Sequence, residues 1–270
     1  MPERSVRVGV QIAPQHSSYS TIRDTLAELE DLGVDIAFNW DHFYPLSGDP
    51  DGTHFEGWSM LAAWAEQTHR IEFGPLVTCN SYRNPDLLAD MARTVDHISA
   101  KGGTGRLILG IGSGWFQRDY EEFGYEFGTA GSRLDALSAD LPRIEARLGK
   151  GNPSPTRHIP VLIGGGGEKK TLRIVAQHAD IWHSFSDTAT LAHKLEVLAS
   201  WCDEVGRSVD DIEISTGVDR EVKELTAEQG EVLDAQYALG ARLFTVGITG
   251  PEIDLTPVRA LLAWRDQANG

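Results

Sequence analysis

Residues 163–171 read IGGGGEKKT, four consecutive glycines between an apolar run and a stretch of helical spacing. A glycine inside an element costs about 0.5–1 kcal/mol relative to alanine, so four together imply a backbone task that side chains would obstruct. At a strand-to-helix junction the first-turn N–H groups lack intrahelical acceptors, and the helix dipole favours negative charge there. Bare backbone at such a point can close around an anion. Lys169, Lys170 and Arg173 follow closely enough to add positive charge, although helical geometry keeps all three from facing one point. A plain flexible turn is the competing reading, and phosphate binding is the stronger one.

A second candidate is the pair Asp41–His42, which ends the alternating stretch DIAFNW. His42 can donate a hydrogen bond or move a proton near neutral pH. Asp41 reads as its orienter, or as an acceptor for a ligand N–H. A metal set would join this pair to His54 and Glu56, but their spacing matches no recognised ligand pattern, and no metal is expected. The two cysteines, Cys79 and Cys202, make neither a disulfide framework nor a metal cluster. No Gly-x-Ser-x-Gly elbow is present, and Cys79 has no paired base visible in the sequence. His97 and His178 fall within helical stretches and read as structural.

These residues need a scaffold that brings strand ends together. Strand-like runs at 6–13, 35–40, 71–78, 106–112, 159–164, 181–185, 212–216 and 242–248 alternate with helical patterns along the chain. Gly33 is a natural stop for the first helix, and Asn84–Pro85 a natural start for another. Eight βα units predict a single TIM barrel over residues 1–270, with a doubly wound open sheet as the alternative. In a barrel the residues after each strand share one mouth. They are Gln15 and His16, then Asp41 and His42, then Thr78 to Arg83, Gly112 to Trp115, the glycine run, and Trp182 with His183.

Composition narrows the function. Of the 270 residues 41% are hydrophobic and 24% charged, ordinary for a globular chain, and the formal net charge is −16. A nucleic-acid partner is disfavoured, because that affinity comes mostly from Lys and Arg neutralising phosphates. No apolar run approaches the roughly 20 residues of a membrane span, and MPERSVRVGV does not read as a signal peptide. A cytoplasmic enzyme acting on a small molecule is the expectation.

The segment GPLVTCNSYRNPDLLADMARTVDHISAKGGTGRLILGIGSGWFQRDYEEFGY resembles the central signature of the luciferase-like monooxygenase superfamily. More narrowly, it is similar to the actinobacterial branch of coenzyme F420-dependent oxidoreductases. DHF after the second strand and IPVLIGGGGEKKTLRIVAQHADIWH agree in order and spacing, so the resemblance runs from about residue 6 to 186. It implies a TIM barrel holding a flavin or the deazaflavin F420, with the cofactor phosphate on Gly164, Gly165, Gly166 and Gly167, beside Glu168 and Lys169. The ring would lie across Leu76, Val77, Thr78, Cys79, Asn80 and Arg83, with a non-prolyl cis bond between Leu76 and Val77. Asp41 and His42 would sit by the ring, and Gly112, Ser113 and Gly114 would border it. His42 is the catalytic candidate, and His16, Trp115 and Trp182 face the substrate.

The implied activity is hydride transfer between F420 and a small organic substrate. An FMN-dependent monooxygenase using oxygen is the alternative, and a non-catalytic cofactor carrier a further one. Family members that oxidise glucose 6-phosphate carry a Trp after the Asp-His pair and a Glu after the fourth strand. Leu46 and Trp115 stand there in this chain, which argues against sugar-phosphate oxidation. The resemblance also implies a homodimer, with GWSMLAAWAEQT and Leu87, Leu88 and Met91 supplying apolar surface.

Overall fold

In the computed structural model, which describes residues 4–218 and 226–270, nine parallel strands form one sheet. Met1 to Glu3 of the opening stretch lie outside the described residues. The strands are β1 (Arg7–Ile12), β2 (Ile36–Asn39), β3 (Glu72–Pro75), β4 (Thr78–Cys79), β5 (Leu109–Gly112), β6 (Val161–Gly164), β7 (Ile181–Ser184), β8 (Glu213–Gly217) and β9 (Ala241–Ile248). Their order is β3-β2-β1-β9-β8-β7-β6-β5-β4. A parallel bridge between Phe73 and Leu107 brings β3 back to the chain entering β5. The result is a nearly closed TIM barrel.

The third strand expected over 71–78 is divided into β3 and β4. β3 pairs with β2, whereas β4 pairs with β5. Between them lie Leu76 and Val77, joined by the expected cis bond. Gly74 and Gly110 make the closure here feasible, because a Cβ on either would run into the backbone carbonyl of Ile108 or Pro75.

The helices are α1 (Tyr19–Leu32), α2 (Gly57–Gln67), α3 (Pro85–Ala100), α4 (Gln117–Phe123), α5 (Ala130–Leu148), α6 (Thr171–His178), α7 (Thr188–Val205), α8 (Ala227–Ala238) and α9 (Thr256–Asn269). Gly33 closes α1 in the left-handed region at φ 84°, and the Asn84 side chain caps α3 ahead of Pro85. α4 was not foreseen. This short helix is anchored by buried Asp119 and Tyr120.

Strand residues alternate between two cores, as the period of two requires. Val8, Val10, Trp64, Leu109, Ile163 and Trp182 belong to the layer between sheet and helices. Ile36, Phe38, Leu76, Ile108, Leu162, Ile181 and Leu243 fill the barrel interior. Below that plug Arg7 pairs with Glu72 at 2.7 Å and with Glu213 at 2.5 Å. The plug seals the centre, so a ligand entering the barrel mouth binds above it, at the carboxyl ends of the strands.

Candidate active site

A cavity of about 530 Å3 opens at those carboxyl ends, and Gln11, His42, Val77, Trp115, Gly165 and His183 are among its walls. Thr78, Cys79, Gly112, Ser113 and Gly114 also line it, as does Leu46. Val77 is wedged toward the neighbouring strand ends: a Cβ on Gly112 would lie 2.8 Å from one of its methyls, and one on Gly164 3.1 Å from the other. The Gln11 amide donates to the Leu76 carbonyl at 2.7 Å and holds the floor beneath.

Asp41 does not orient His42. Its carboxylate accepts from the Thr78 hydroxyl at 2.5 Å and from the Cys79 N–H at 3.2 Å, and it takes both arms of Arg83 at 2.5 and 3.0 Å. Such a two-armed pair fixes geometry as well as charge. Thr78 in turn accepts from the Trp58 indole at 2.9 Å. Asp41 is therefore the fastening of β4. Arg83 is engaged by Asp41 and Glu56 and lies outside the cavity wall, so it faces no ligand directly.

The residue that orients His42 is Asp119, which sequence reasoning missed. His42 Nδ1 lies 2.7 Å from Asp119 Oδ2, and Asp119 is wholly buried. The same carboxylate accepts from the Phe43 and Tyr44 N–H groups at 3.1 and 3.2 Å and from the Tyr82 hydroxyl at 3.0 Å. Burial, reinforced by Cys79 and Asp119, pushes the Tyr82 phenol up, so it remains a donor. A carboxylate at Nδ1 keeps that proton in place and leaves Nε2 as the working nitrogen, the logic of a Ser-His-Asp site. Rings of Phe43, Tyr82, Tyr120, Tyr125 and Phe127 pack α4 into this position. The signal in the sequence was the acid within QRDYEEF, 77 residues from its partner, which no local pattern connects.

The glycine run is present but arranged differently from expectation. One turn, Glu168 to Lys170, intervenes before α6, so the helix N-terminus does not follow the glycines directly. Gly165 takes φ +122°, and its N–H donates to the His183 carbonyl at 3.0 Å. The Gly166 and Gly167 N–H groups donate to no backbone carbonyl among the described residues. Lys170 is taken up by Asp135 at 2.6 Å, and Arg173 lies over the Trp201 ring. The cation that reaches the run is Lys194 of α7: a Cβ on Gly166 would run into its ammonium group. Lys194 also lines the cavity, and it has no carboxylate partner among the described residues.

Several expected residues fall elsewhere. Trp182 is fully buried in the layer beneath the helices, and its indole donates to the Gly165 carbonyl at 2.8 Å. It shapes the glycine run and cannot meet a substrate. The period of two sends its neighbour His183 into the cavity instead. His16 binds the Ser47 carbonyl at 2.7 Å over the Gly48–Gly52 loop and does not line the cavity. Asn80 donates to Asp140 at 2.8 Å, and Gly167, Glu168 and Lys169 lie beyond the cavity wall. Trp115 is where it was expected, 62% exposed and edge-on to His42 at 5.7 Å. Phe185, 70% exposed, is a further, unforeseen aromatic on the wall, with Trp40 and Trp115.

The four residues of a metal set are each engaged by other groups: Asp41 and Glu56 by Arg83, His42 by Asp119, and His54 by the Trp40 indole at 3.0 Å, with Glu56 also capping the start of α2. Among the described residues no group of three or more His, Cys, Asp or Glu could hold a metal ion. Burial pushes the Cys79 thiol up, which disfavours a nucleophilic thiolate. No helix among the described residues is long and apolar enough to cross a membrane.

Comparison with known proteins gives this geometry a context. An uncharacterized protein of Mycobacterium tuberculosis is 30% identical over 159 residues, 52% of this chain and 55% of its own length. The chain thus spans about half the length of the first curated relatives it matches. An F420-dependent glucose-6-phosphate dehydrogenase of Intrasporangium calvum is 32% identical over 40% of this chain and 31% of that protein. Among solved structures, an F420-dependent secondary alcohol dehydrogenase in complex with an F420-acetone adduct superposes with a TM-score of 0.80. It is 13% identical, with 94% of this chain and 96% of that one covered, a likeness of fold. The model of the luciferase-like monooxygenase family matches residues 5–241, and the chain belongs to that family.

Proposed function

We propose that this protein is an F420-dependent oxidoreductase that transfers a hydride between the deazaflavin and a small, neutral, largely apolar organic substrate. The observation that carries the reading is one cavity holding two kinds of equipment. An anion cradle of Gly165, Gly166, Ser184 and Lys194 stands on the β6–β7 side, and a carboxylate-backed imidazole, His42–Asp119, stands after β2. The cradle suits a phosphate: it offers the Gly166 N–H, which has no backbone acceptor, a cation with no carboxylate partner among the described residues, and no Cβ to obstruct the approach.

When bound, the deazaflavin supplies the hydride chemistry; the protein supplies binding, orientation and electrostatics. Lys194 and the Gly166 N–H would hold the phosphate. His42 Nε2 moves the proton at the substrate oxygen that accompanies the hydride, while Asp119 keeps the ring turned and stabilises the imidazolium. Trp115 and Phe185 cover the opening and exclude water. With Asp41 neutralised by Arg83 and Lys194 given to the phosphate, the remaining wall has no free charge for an ionic substrate among the described residues, and Leu46 adds an apolar surface. That composition disfavours a sugar phosphate.

The alternative of FMN and oxygen draws support from the family's monooxygenase members and from a cradle that would serve either phosphate. Side-by-side titration with F420 and FMN, followed by single-turnover assays across ketones, aldehydes and secondary alcohols, tests the proposal. Tight F420 binding with hydride transfer supports it. Preference for FMN with oxygen-dependent turnover selects the alternative, and binding of neither refutes both.

We also propose a homodimer through α2 and α3. Their outer groove is lined by Trp58, Ala62, Met91, Val95 and Ile98, and Leu87 is 54% exposed there.

A further inference from the structure

His183 is 2% exposed and lines the cavity, yet the proposed chemistry gives it no task. Its Nδ1 lies 2.8 Å from the Ser215 hydroxyl on the neighbouring strand. Its Nε2 is buried and has no hydrogen-bond partner. Phe185 stands edge-on above the imidazole, with ring centroids 4.8 Å apart, and keeps it in place. An unsatisfied buried polar atom costs about 1–3 kcal/mol, so an orphaned nitrogen in a cavity wall marks a place where a ligand atom completes the bond.

The position of His183 identifies the kind of atom. Its backbone carbonyl accepts from the Gly165 N–H, and in strand register it stands opposite Gly164. On the other side, Gly164 meets the Val77 methyls, next to the Leu76 carbonyl that Gln11 holds. His183 therefore stands beside the anion cradle, across Gly164 from Val77 of the divided third strand. We infer that His183 Nε2 binds a hydroxyl of the polyol chain that links the phosphate to the ring of a bound flavin or deazaflavin.

A hydroxyl is the right partner on chemical grounds. Burial holds the imidazole neutral by pushing its pKa down to about 4, so Nε2 offers one lone pair or one proton, according to which of Nδ1 and Ser215 donates to the other. A hydroxyl both donates and accepts, and so satisfies either tautomer. A phosphate oxygen only accepts, and it would be better met by Lys194 and the glycine N–H groups.

The inference rests on the cofactor reading above, and the test separates the two. His183→Asn keeps an amide near Nδ1, within reach of Ser215, and removes Nε2. His183→Gln restores a polar atom near the Nε2 position. Each protein is titrated with FMN and with lumiflavin, which has the ring without the polyol, or, where the wild type takes F420 and not FMN, with F420 and the corresponding deazaflavin ring without the polyol, to which the same expectations apply; its melting temperature is recorded. The expected result is FMN binding about five- to fiftyfold weaker for His183→Asn, with substantial recovery in His183→Gln and lumiflavin affinity unchanged within about twofold. In the wild type, the Nε2 resonance of 15N-labelled His183 should move on adding FMN and stay still with lumiflavin or inorganic phosphate. Equal FMN affinity in His183→Asn and wild type, or parallel loss of FMN and lumiflavin, overturns the inference and leaves the cofactor reading standing. A folded wild type that binds neither F420 nor FMN overturns the cofactor reading and the inference with it.

Discussion

Replacing Gly166 by alanine isolates the anion cradle with little else disturbed. Gly166 does not occupy the left-handed region, unlike Gly165 at φ +122°, so an alanine suits its backbone. The added methyl collides with the Lys194 ammonium group and lies 3.2 Å from both Lys194 Cε and Ser184 Oγ. Lys194 is the flexible partner, and it must swing away. A hydrogen bond between charged groups is worth about 1.5–3 kcal/mol, which converts to roughly 10- to 150-fold in affinity. FMN binding should weaken by that factor. Riboflavin, which lacks the phosphate, should bind Gly166→Ala and wild type within about threefold of each other. Lys194→Ala should reproduce the same selective loss. Fluorescence titration of both ligands, with a melting curve on each protein, measures all of this. Equal weakening of FMN and riboflavin, or undiminished FMN affinity, would refute the assignment of the phosphate to this loop.

Asp119→Asn should slow single-turnover hydride transfer by about 100-fold, near 2.7 kcal/mol, and should add nothing in a His42→Ala background, because the two side chains act as one unit; independent, additive losses would count against the pair. Acid should expose His54 and His183. Burial lowers both to about 4, with the nearby His42 adding to the effect on His54. Their unfolded forms bind protons from about pH 6.5 downward, so their contribution to stability is complete above that pH and is lost as pH falls toward 4. Melting temperatures across that range should decline less steeply in His183→Asn, and an identical slope would speak against a buried neutral imidazole. Leu87→Glu should convert a dimer to a monomer in sedimentation at micromolar concentration. A wild type that already sediments as a monomer removes α2 and α3 as a self-association face.

The barrel was legible because its signals are periodic and local: apolar runs of strand length, Gly33 at a helix stop, Asn84–Pro85 at a helix start. The glycine run and the Asp41–His42 pair were legible as positions, since strand ends converge at one mouth. Their partnerships were not. Asp41 and His42 are neighbours in the chain, but consecutive side chains diverge, and they turn to Arg83 and Asp119 respectively. Trp182 was misplaced, and His183, although named at the mouth, was given no role, for a related reason. In a strand buried on both faces, the alternation that decides which side chain looks inward leaves no trace in hydrophobicity. Lys194 was invisible beside the nearer cations Lys169, Lys170 and Arg173, because proximity along a helix says little about which of its faces meets a neighbouring loop.

Glu56 has two employments. It caps α2 by accepting from the Trp58 and Ser59 N–H groups, and it pairs at 2.8 Å with Arg83, which grips Asp41 and through it β4. The same residue borders the groove between α2 and α3. Glu56 on the proposed self-association face is thus linked through Arg83 and Asp41, by three contacts, to the strand end over which a ring would lie. If a second copy settles on that groove and holds Glu56 and Arg83 in the arrangement that fastens β4, subunit association and cofactor binding become linked equilibria, and each then favours the other by the same factor. Cofactor affinity would then rise with protein concentration, and the concentration at which the subunits part would fall when cofactor is added.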